Sequence, residues 1–284
     1  MQAYKQILEE VYAKCQRHNN RTNQVSYRIH GAMFKHDMEE GFPLLTTKKM
    51  PIKTIIKETI GFLQGKTNSE DLGKIFWDTN ANNKNWLANP NRKGEGDLGR
   101  VYGKQWREWK APDGRIIDQL GDVLKKITLD AESRKYIING WNPGELDQMA
   151  LEPCHFAFHL IPDSNTKRLN LTFFMRSNDV YHGLSCNIAS YALILTLCSI
   201  ATGFRPGTLV GMMSDVHYYE PQKANIEIQL QRSCLELPKV YVNKDFQFIN
   251  LDNPIEFIDA ITEEDIILSN YKHWPALEKV EMAD

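Results

Sequence analysis

Two alternating segments joined by a turn, and a long apolar run after them, set the tightest limit on what this chain can fold into. Cys154, Phe156, Phe158 and Leu160 alternate with other residues and so share one face of a strand. Leu169, Leu171, Phe173 and Met175 repeat the pattern, and Pro162-Asp163-Ser164-Asn165 supplies the turn of a hairpin between them. Residues 188–202 then read as a helix with no polar face, which belongs inside a core. Helical spacing recurs at Tyr4, Ile7, Leu8, Val11, Tyr12 and Cys15, with Asn19-Asn20 as the stop. It returns at Ile52, Ile55, Ile56, Thr59, Ile60 and Leu63, closed by Gly65, and at Ile117, Leu120, Leu124 and Ile127. Val25, Tyr27 and Ile29 alternate as a further strand. Residues 79–99, rich in Asn and Gly, read as a long surface loop. Ile226, Ile228 and Leu230 alternate too, but their Gln- and Lys-rich surroundings favour helix, and the segment stays ambiguous. Helices and strands mix without a regular βαβ repeat and without a linker. The expectation is an α+β fold in one domain over residues 1–284.

Composition narrows the function classes. Lys and Arg total 34 against 36 for Asp and Glu, a net charge of −2, which excludes the basic footprint of a dedicated nucleic-acid surface. With 42% hydrophobic and 10% aromatic residues, the 284-residue chain can build a sizeable core. Five cysteines without a CxxC spacing argue against a disulfide framework and against a structural metal site. The N-terminus has no signal-peptide pattern, and the most apolar stretch, 191–204, is shorter than the ~20 residues that span a bilayer. The expected setting is the cytoplasm, with no membrane partner.

Two places carry chemistry. Cys154 and His155 invite a nucleophile–base reading, yet neighbours in a strand point to opposite faces and cannot pair with each other. Pro153-Cys154 nevertheless puts the cysteine at a strand start, where it can border a cleft. Arg176-Ser177-Asn178-Asp179 ends the partner strand with a fork donor, a hydroxyl and a carboxylate. Arg beside Ser suits a phosphate clamp, and the plainer reading is a surface strand end with one ion pair.

Taken together, the segments resemble the thymidylate synthase family. The matching stretches are NNRT (19–22), EGFPLLTTKK (40–49), ETIGFLQGKTN (58–68), GDLGRVYGKQW (96–106), WNPGELDQMALEPCH (141–155), RSNDVYHGLSCNIASYAL (176–193) and SDVHYY (214–219). They cover nearly the whole chain in the family's order. The resemblance implies a homodimer of single α+β domains with mixed sheets packed back to back. Its substrate would be dUMP and its cosubstrate 5,10-methylene-tetrahydrofolate.

The resemblance also implies roles. Cys154 matches the nucleophile that adds to C6 of the uracil ring, and a nearby Arg176 would favour its thiolate. Glu58 matches the general acid–base, and Tyr102 the hydroxyl that assists loss of the C5 proton. Arg21, Arg176 and Ser177 match phosphate ligands; Arg134 and Lys135 match the pair reaching over from the other subunit. His217 and Tyr219 match the groups on the deoxyribose hydroxyl. Asn187 matches the amide that reads O4 and N3–H of uracil, where relatives acting on cytosine carry Asp. Trp77, Asn80, Asp179, His182, Gly183, Cys186 and Ala283 fall on the folate side, with Asp179 and His182 also counted among the catalytic candidates.

Departures from the family pattern cluster, and by position His182, Cys186 and Asp284 should lie around the folate side. His182 replaces a leucine, Ser185-Cys186 a Pro-Phe pair, Asn80 a second tryptophan, Ser214 a glycine and Lys135 an arginine. The tail ends Glu281-Met282-Ala283-Asp284 where an apolar terminus is usual. A dry pocket would let hydride reach the electrophilic C5 methylene and give dTMP. A pocket that orients water would give 5-hydroxymethyl-dUMP and leave tetrahydrofolate unoxidised. Polar replacements favour a bound water, with His182 as its base. The sequence reading therefore prefers a dUMP hydroxymethylase of the kind phages use for modified pyrimidines. A divergent thymidylate synthase is the alternative, and an inactive nucleotide-binding relative a remote third.

Overall fold

The computed structural model describes residues 1–19, 24–243 and 249–280. Helix α1 (Gln2–Lys14) buries Tyr4, Ile7, Leu8 and Val11, as their spacing requires. It ends five residues before Asn19, because Cys15 is already extended and Gln16–Asn19 form strand β1. Strand β2 (Val25–Asp37) leads to α2 (Ile52–Leu63), whose chain direction reverses after Gly65 at a φ of 71°. Three short helices follow: α3 (Ser69–Leu72), α4 (Lys74–Ala81) and α5 (Lys84–Leu87). The expected loop at 79–99 is therefore partly helical. Buried Trp86 anchors it by donating Nε1–H to the Asp97 carbonyl at 2.6 Å, a tertiary bond that composition does not reveal.

After α6 (Gly103–Arg107), strands β3 (Trp109–Lys110) and β4 (Ile116–Ile117) make a small antiparallel pair, so Ile117 precedes helix α7 (Gln119–Leu129) instead of joining it. Strand β5 (Ile137–Asn139) then meets the expected hairpin, β6 (His155–Asp163) and β7 (Arg168–Asp179). One bulge breaks the anticipated alternation. Register slips between His155 and Ala157, so Phe156 leaves the core face and packs on Phe174 at 6.2 Å, while His155 and Phe158 are buried.

Helix α8 (Gly183–Thr202) crosses the core. It is long and apolar enough for a membrane span, but 83% of its apolar window is buried among other elements, and Tyr191 stacks on Phe173 at 4.4 Å. Strand β8 (Arg205–Tyr219) runs parallel to β7 and antiparallel to β2. The ambiguous segment is helix α9 (Lys223–Gln231): Ile226 is buried and Ile228 is 43% exposed, which follows a helical period. Strand β9 (Lys239–Val242), helix α10 (Ile255–Ala260) and strand β10 (Ile266–Ser269) complete the described elements. The main sheet has the order β1-β2-β8-β7-β6-β5. Helices cover one face around one core, an α+β architecture. The C-terminal ends of the parallel pair β7 and β8 open beside the first turn of α8, and the site lies there.

Candidate active site

A cleft of about 530 Å³ opens at those strand ends, a size typical of small-molecule sites. It brings together Glu58, Trp77, Asn80, Tyr102, Cys154, Arg176, Ser177, Asp179, His182, Gly183, Cys186, Asn187, His217 and Tyr219, residues scattered over most of the chain. Arg134 and Lys135 are exposed and lie outside it. Arg21, Ala283 and Asp284 fall outside the described residues.

Cys154 is half-buried at the cleft and held from both sides. Its amide donates to the Tyr102 hydroxyl at 3.0 Å, and its carbonyl accepts from the Arg176 amide at 2.9 Å. Arg176 also fastens the approach to the cysteine: its guanidinium donates to the carbonyls of Pro153 and Glu152, both at 3.0 Å, and lies 5.3 Å over the Trp141 ring. Tyr102 sits at φ 25°, an unfavourable conformation for a side chain of its size. The packing around it accounts for this. A Cβ on the next residue, Gly103, would stand 2.2 Å from the Phe62 carbonyl, so only glycine lets α6 approach α2 so closely. His155 stacks on the Tyr102 ring at 4.1 Å and hydrogen-bonds the Tyr191 hydroxyl at 2.9 Å. Burial pushes this imidazole down to about 3, so it is neutral and supports Tyr102 instead of exchanging protons. The sequence argument against a Cys154–His155 pair agrees with this placement.

Glu58 projects from α2 and accepts from Trp77 Nε1 at 2.7 Å. Burial raises its carboxyl to about 7, against a smaller lowering by the Trp77 bond. A carboxyl poised near neutrality can both give and take a proton. Burial also pushes the Tyr102 phenol well above its ordinary range.

The strand ends build the other wall. Parallel register sets Ser177 beside Asp215 and Asp179 beside His217. Asp215 accepts from His217 Nδ1 at 2.6 Å and from Arg28 at 3.2 Å, which fixes the imidazole. The Asp179 carboxylate is fully engaged. One oxygen accepts from the amides of Tyr181 and His182 at 2.8 and 2.9 Å, the other from Gln222 Nε2 at 2.7 Å. Its place is to shape the turn into α8. Asn187 lies on the first turns of that helix, and a Cβ on Gly183 would come within 3.5 Å of its amide oxygen.

The far end of the cleft is more polar than its burial suggests. Lys48 donates to the Tyr181 carbonyl and sits 4.0 Å from the Tyr181 ring centre, and burial lowers its ammonium to about 8. His182 Nε2 is buried without a close hydrogen-bond partner, and burial lowers its imidazole against the opposing pull of Asp179 and of the Val280 backbone. Burial raises the Cys186 thiol to about 12, which keeps it neutral. Ser185 contributes less polarity than its type suggests, since its hydroxyl donates to the carbonyls of Tyr181 and His182 within the helix. Ala276, Leu277, Glu278, Lys279 and Val280 close this end as a C-terminal strap. Lys48 stood inside the quoted EGFPLLTTKK stretch but was not singled out. Asn225 carries no local signal, because its partners are more than forty residues away; Gln222 has a local bond from the Tyr219 amide, but its bond to Asp179 spans 43 residues.

The protein-family model described as thymidylate synthase matches residues 2–283. A thymidylate synthase from Pseudomonas syringae pv. tomato is 33% identical, over 98% of this chain and 98% of its own length. The chain belongs to the thymidylate synthase family. That family uses 5,10-methylene-tetrahydrofolate as cosubstrate. The far end of the cleft fits such a group. It offers the buried Trp77 ring as a wall, an unsatisfied buried nitrogen at His182, and a strap of residues 276–280 as a cover. Among the described residues no three metal-ligating side chains converge.

Proposed function

We propose that this chain transfers a one-carbon unit to C5 of dUMP and completes it as a methyl group, the thymidylate synthase reaction. The observation that carries the reading is the convergence of Cys154, its Tyr102 partner and the near-neutral Glu58 in the cleft that also holds Asn187. The 33% identical thymidylate synthase supports this outcome over hydroxymethylation, which the sequence alone favoured. The thiolate of Cys154 adds to C6, and the π electron pair of the C5–C6 double bond makes C5 nucleophilic. Bound methylene-tetrahydrofolate supplies the one-carbon unit and the hydride that finishes the methyl group. Glu58 handles protons at the C4 oxygen side of the ring, the Tyr102 hydroxyl helps remove the C5 proton, and Cys154 leaves as the C5–C6 double bond re-forms. Asn187 reads uracil; Arg176 and Ser177 hold phosphate with Arg21; His217 and Tyr219 hold the sugar. Trp77, Asn80, His182, Gly183 and Cys186 line the folate end, where Asp179 keeps the α8 turn in place.

A homodimer forms part of the proposal, with residues 1–284 as one catalytic unit in each subunit. Met33, Met212 and Phe174 are register neighbours across β2, β8 and β7 on the sheet face opposite the helices, with the two methionines 59% and 42% exposed. Such an apolar row suits a second copy. Arg134 and Lys135, exposed beyond the cleft, are then free to reach a neighbour's phosphate.

Hydroxymethylation is the second reading, favoured by the unpartnered His182 Nε2, which can hold a water. Incubation with dUMP and methylene-tetrahydrofolate separates the two. The proposal expects dTMP by mass and one dihydrofolate per turnover by absorbance. A hydroxymethylated nucleotide without dihydrofolate would overturn it.

A further inference from the structure

The C-terminal strap is fastened at two levels, and the second meets the cleft. Upstream, Arg232 donates to the carbonyls of Thr47 and Pro275, both at 2.8 Å, and the Trp274 amide donates to the Thr46 carbonyl at 2.8 Å. Over the cleft the fastening is Asn225, buried in the first turn of α9. Its Nδ2 donates to the Glu278 carbonyl at 2.9 Å and to the Tyr181 hydroxyl at 3.0 Å. A backbone carbonyl can only accept, so it fixes the orientation of the amide, and the tyrosine hydroxyl must then accept as well. Tyr181 is itself held where the folate end begins, its amide by Asp179 and its carbonyl by Lys48.

We propose that Asn225 is a positioning residue that latches the strap onto the Tyr181 corner, so that closure over the cosubstrate end and the placement of the α8 turn are one event. The role in turnover rests on the proposed reaction; the latch itself does not. One buried amide with two donors joins three segments that are distant in sequence, and both protons are used. Removing it leaves Glu278 and Tyr181 without their donor, and the strap then depends on its upstream anchors and on the contact of His182 with the Val280 backbone.

Hydrogen exchange of the free protein, measured on peptides covering α8 and the C-terminal strap, tests the latch without turnover. Asn225→Leu is expected to speed exchange in the strap by about fivefold to tenfold, the loss of one or two buried hydrogen bonds, with the interior of α8 unchanged. KM for methylene-tetrahydrofolate should rise by a similar factor while the dissociation constant for dUMP stays within about twofold. Asn225→Asp keeps the size and polarity but removes both donors, so it should loosen the strap as well and serves if the leucine variant does not fold. A folded variant with unchanged strap exchange would overturn the latch. Absence of any turnover in the parent protein would sink the reaction instead, and the exchange result would still decide the latch.

Discussion

The two ends of the cleft are held by different means. At the nucleotide end, Ser177, Asp215 and His217 sit on adjacent parallel strands, so the backbone ladder sets their spacing before any side chain acts. At the folate end, Lys48, Tyr181, His182 and the strap come from separate segments and are joined by single side-chain bonds such as those of Asn225 and Asp179. A wall built on a ladder tolerates little change in sequence. A wall hung from side chains can drift while the fold stays intact, and the departures from the family pattern cluster there. The comparison predicts severe effects of substitution at the reacting centre, intermediate effects at the base-reading position, and small, tunable effects at the folate end.

The largest effect belongs to Cys154. Cys154→Ala should lower kcat by about 10⁴-fold or more, because the covalent route is lost altogether. Single-turnover product formation measures it, and an active variant would remove the covalent mechanism. Glu58→Gln should lower kcat by about 10²–10⁴-fold. It also has a stability signature. Folding raises this carboxyl from its ordinary value to about 7, so the folded state favours the proton. Stability from that proton is full at pH below the unfolded value, falls between roughly pH 4.5 and 7, and stays lost above. Gln mimics the protonated form. The variant should match the parent near pH 4.5 and exceed it at pH 8 by about 1–3 kcal/mol, read by urea denaturation at both pH values. Equal stability at pH 8 would show that Glu58 is not desolvated as its burial implies.

What could be read from the sequence follows the same division. The hairpin, the core helix and many of the residues that meet in the cleft were legible, since they depend on periodicity or lie in contiguous motifs such as RSNDVYHGLSCNIASYAL. The bulge at Phe156 was not: one extra residue in a strand depends on the partner's register. Nor was Trp86, whose Asn-rich surroundings read as loop although its indole is buried. Ser185 looked like a polar contribution to the cleft, but in a helix its hydroxyl turns back onto the carbonyls one turn earlier. Asn225 had no sequence signal because its role comes from tertiary contacts, and the bond of Gln222 to Asp179 had none for the same reason.

Asn187 tests the middle of the comparison. Its amide offers one donor and one acceptor, matching uracil; an aspartate in its place complements the amino edge of cytosine when it carries a proton. Asn187→Asp should therefore shift relative kcat/KM from dUMP toward dCMP by about 10²-fold, since a site built around hydrogen bonds rejects the mismatched edge. Competition between the two nucleotides, followed by product mass, gives the ratio directly. An unchanged preference would contradict the assignment of base reading to this residue.

The smallest effect is expected where the departures lie. His182 presents a buried, unpartnered Nε2 to the cleft, and Cys186 beside it is a small neutral thiol. A water held there needs polar partners, and replacing both side chains by apolar ones removes them and fills the space. His182→Leu combined with Cys186→Phe should leave dUMP affinity unchanged and lower any fraction of hydroxymethylated product by about fivefold, the weight of one hydrogen bond. Folding is expected to persist, because the turn is held by the Asp179 carboxylate and by the Ser185 hydroxyl on backbone carbonyls, groups that neither substitution removes. Product analysis of parent and variant side by side reads the change. If the two partition alike, polarity at these positions does not govern the fate of the one-carbon unit, and the folate end has varied without consequence for the chemistry.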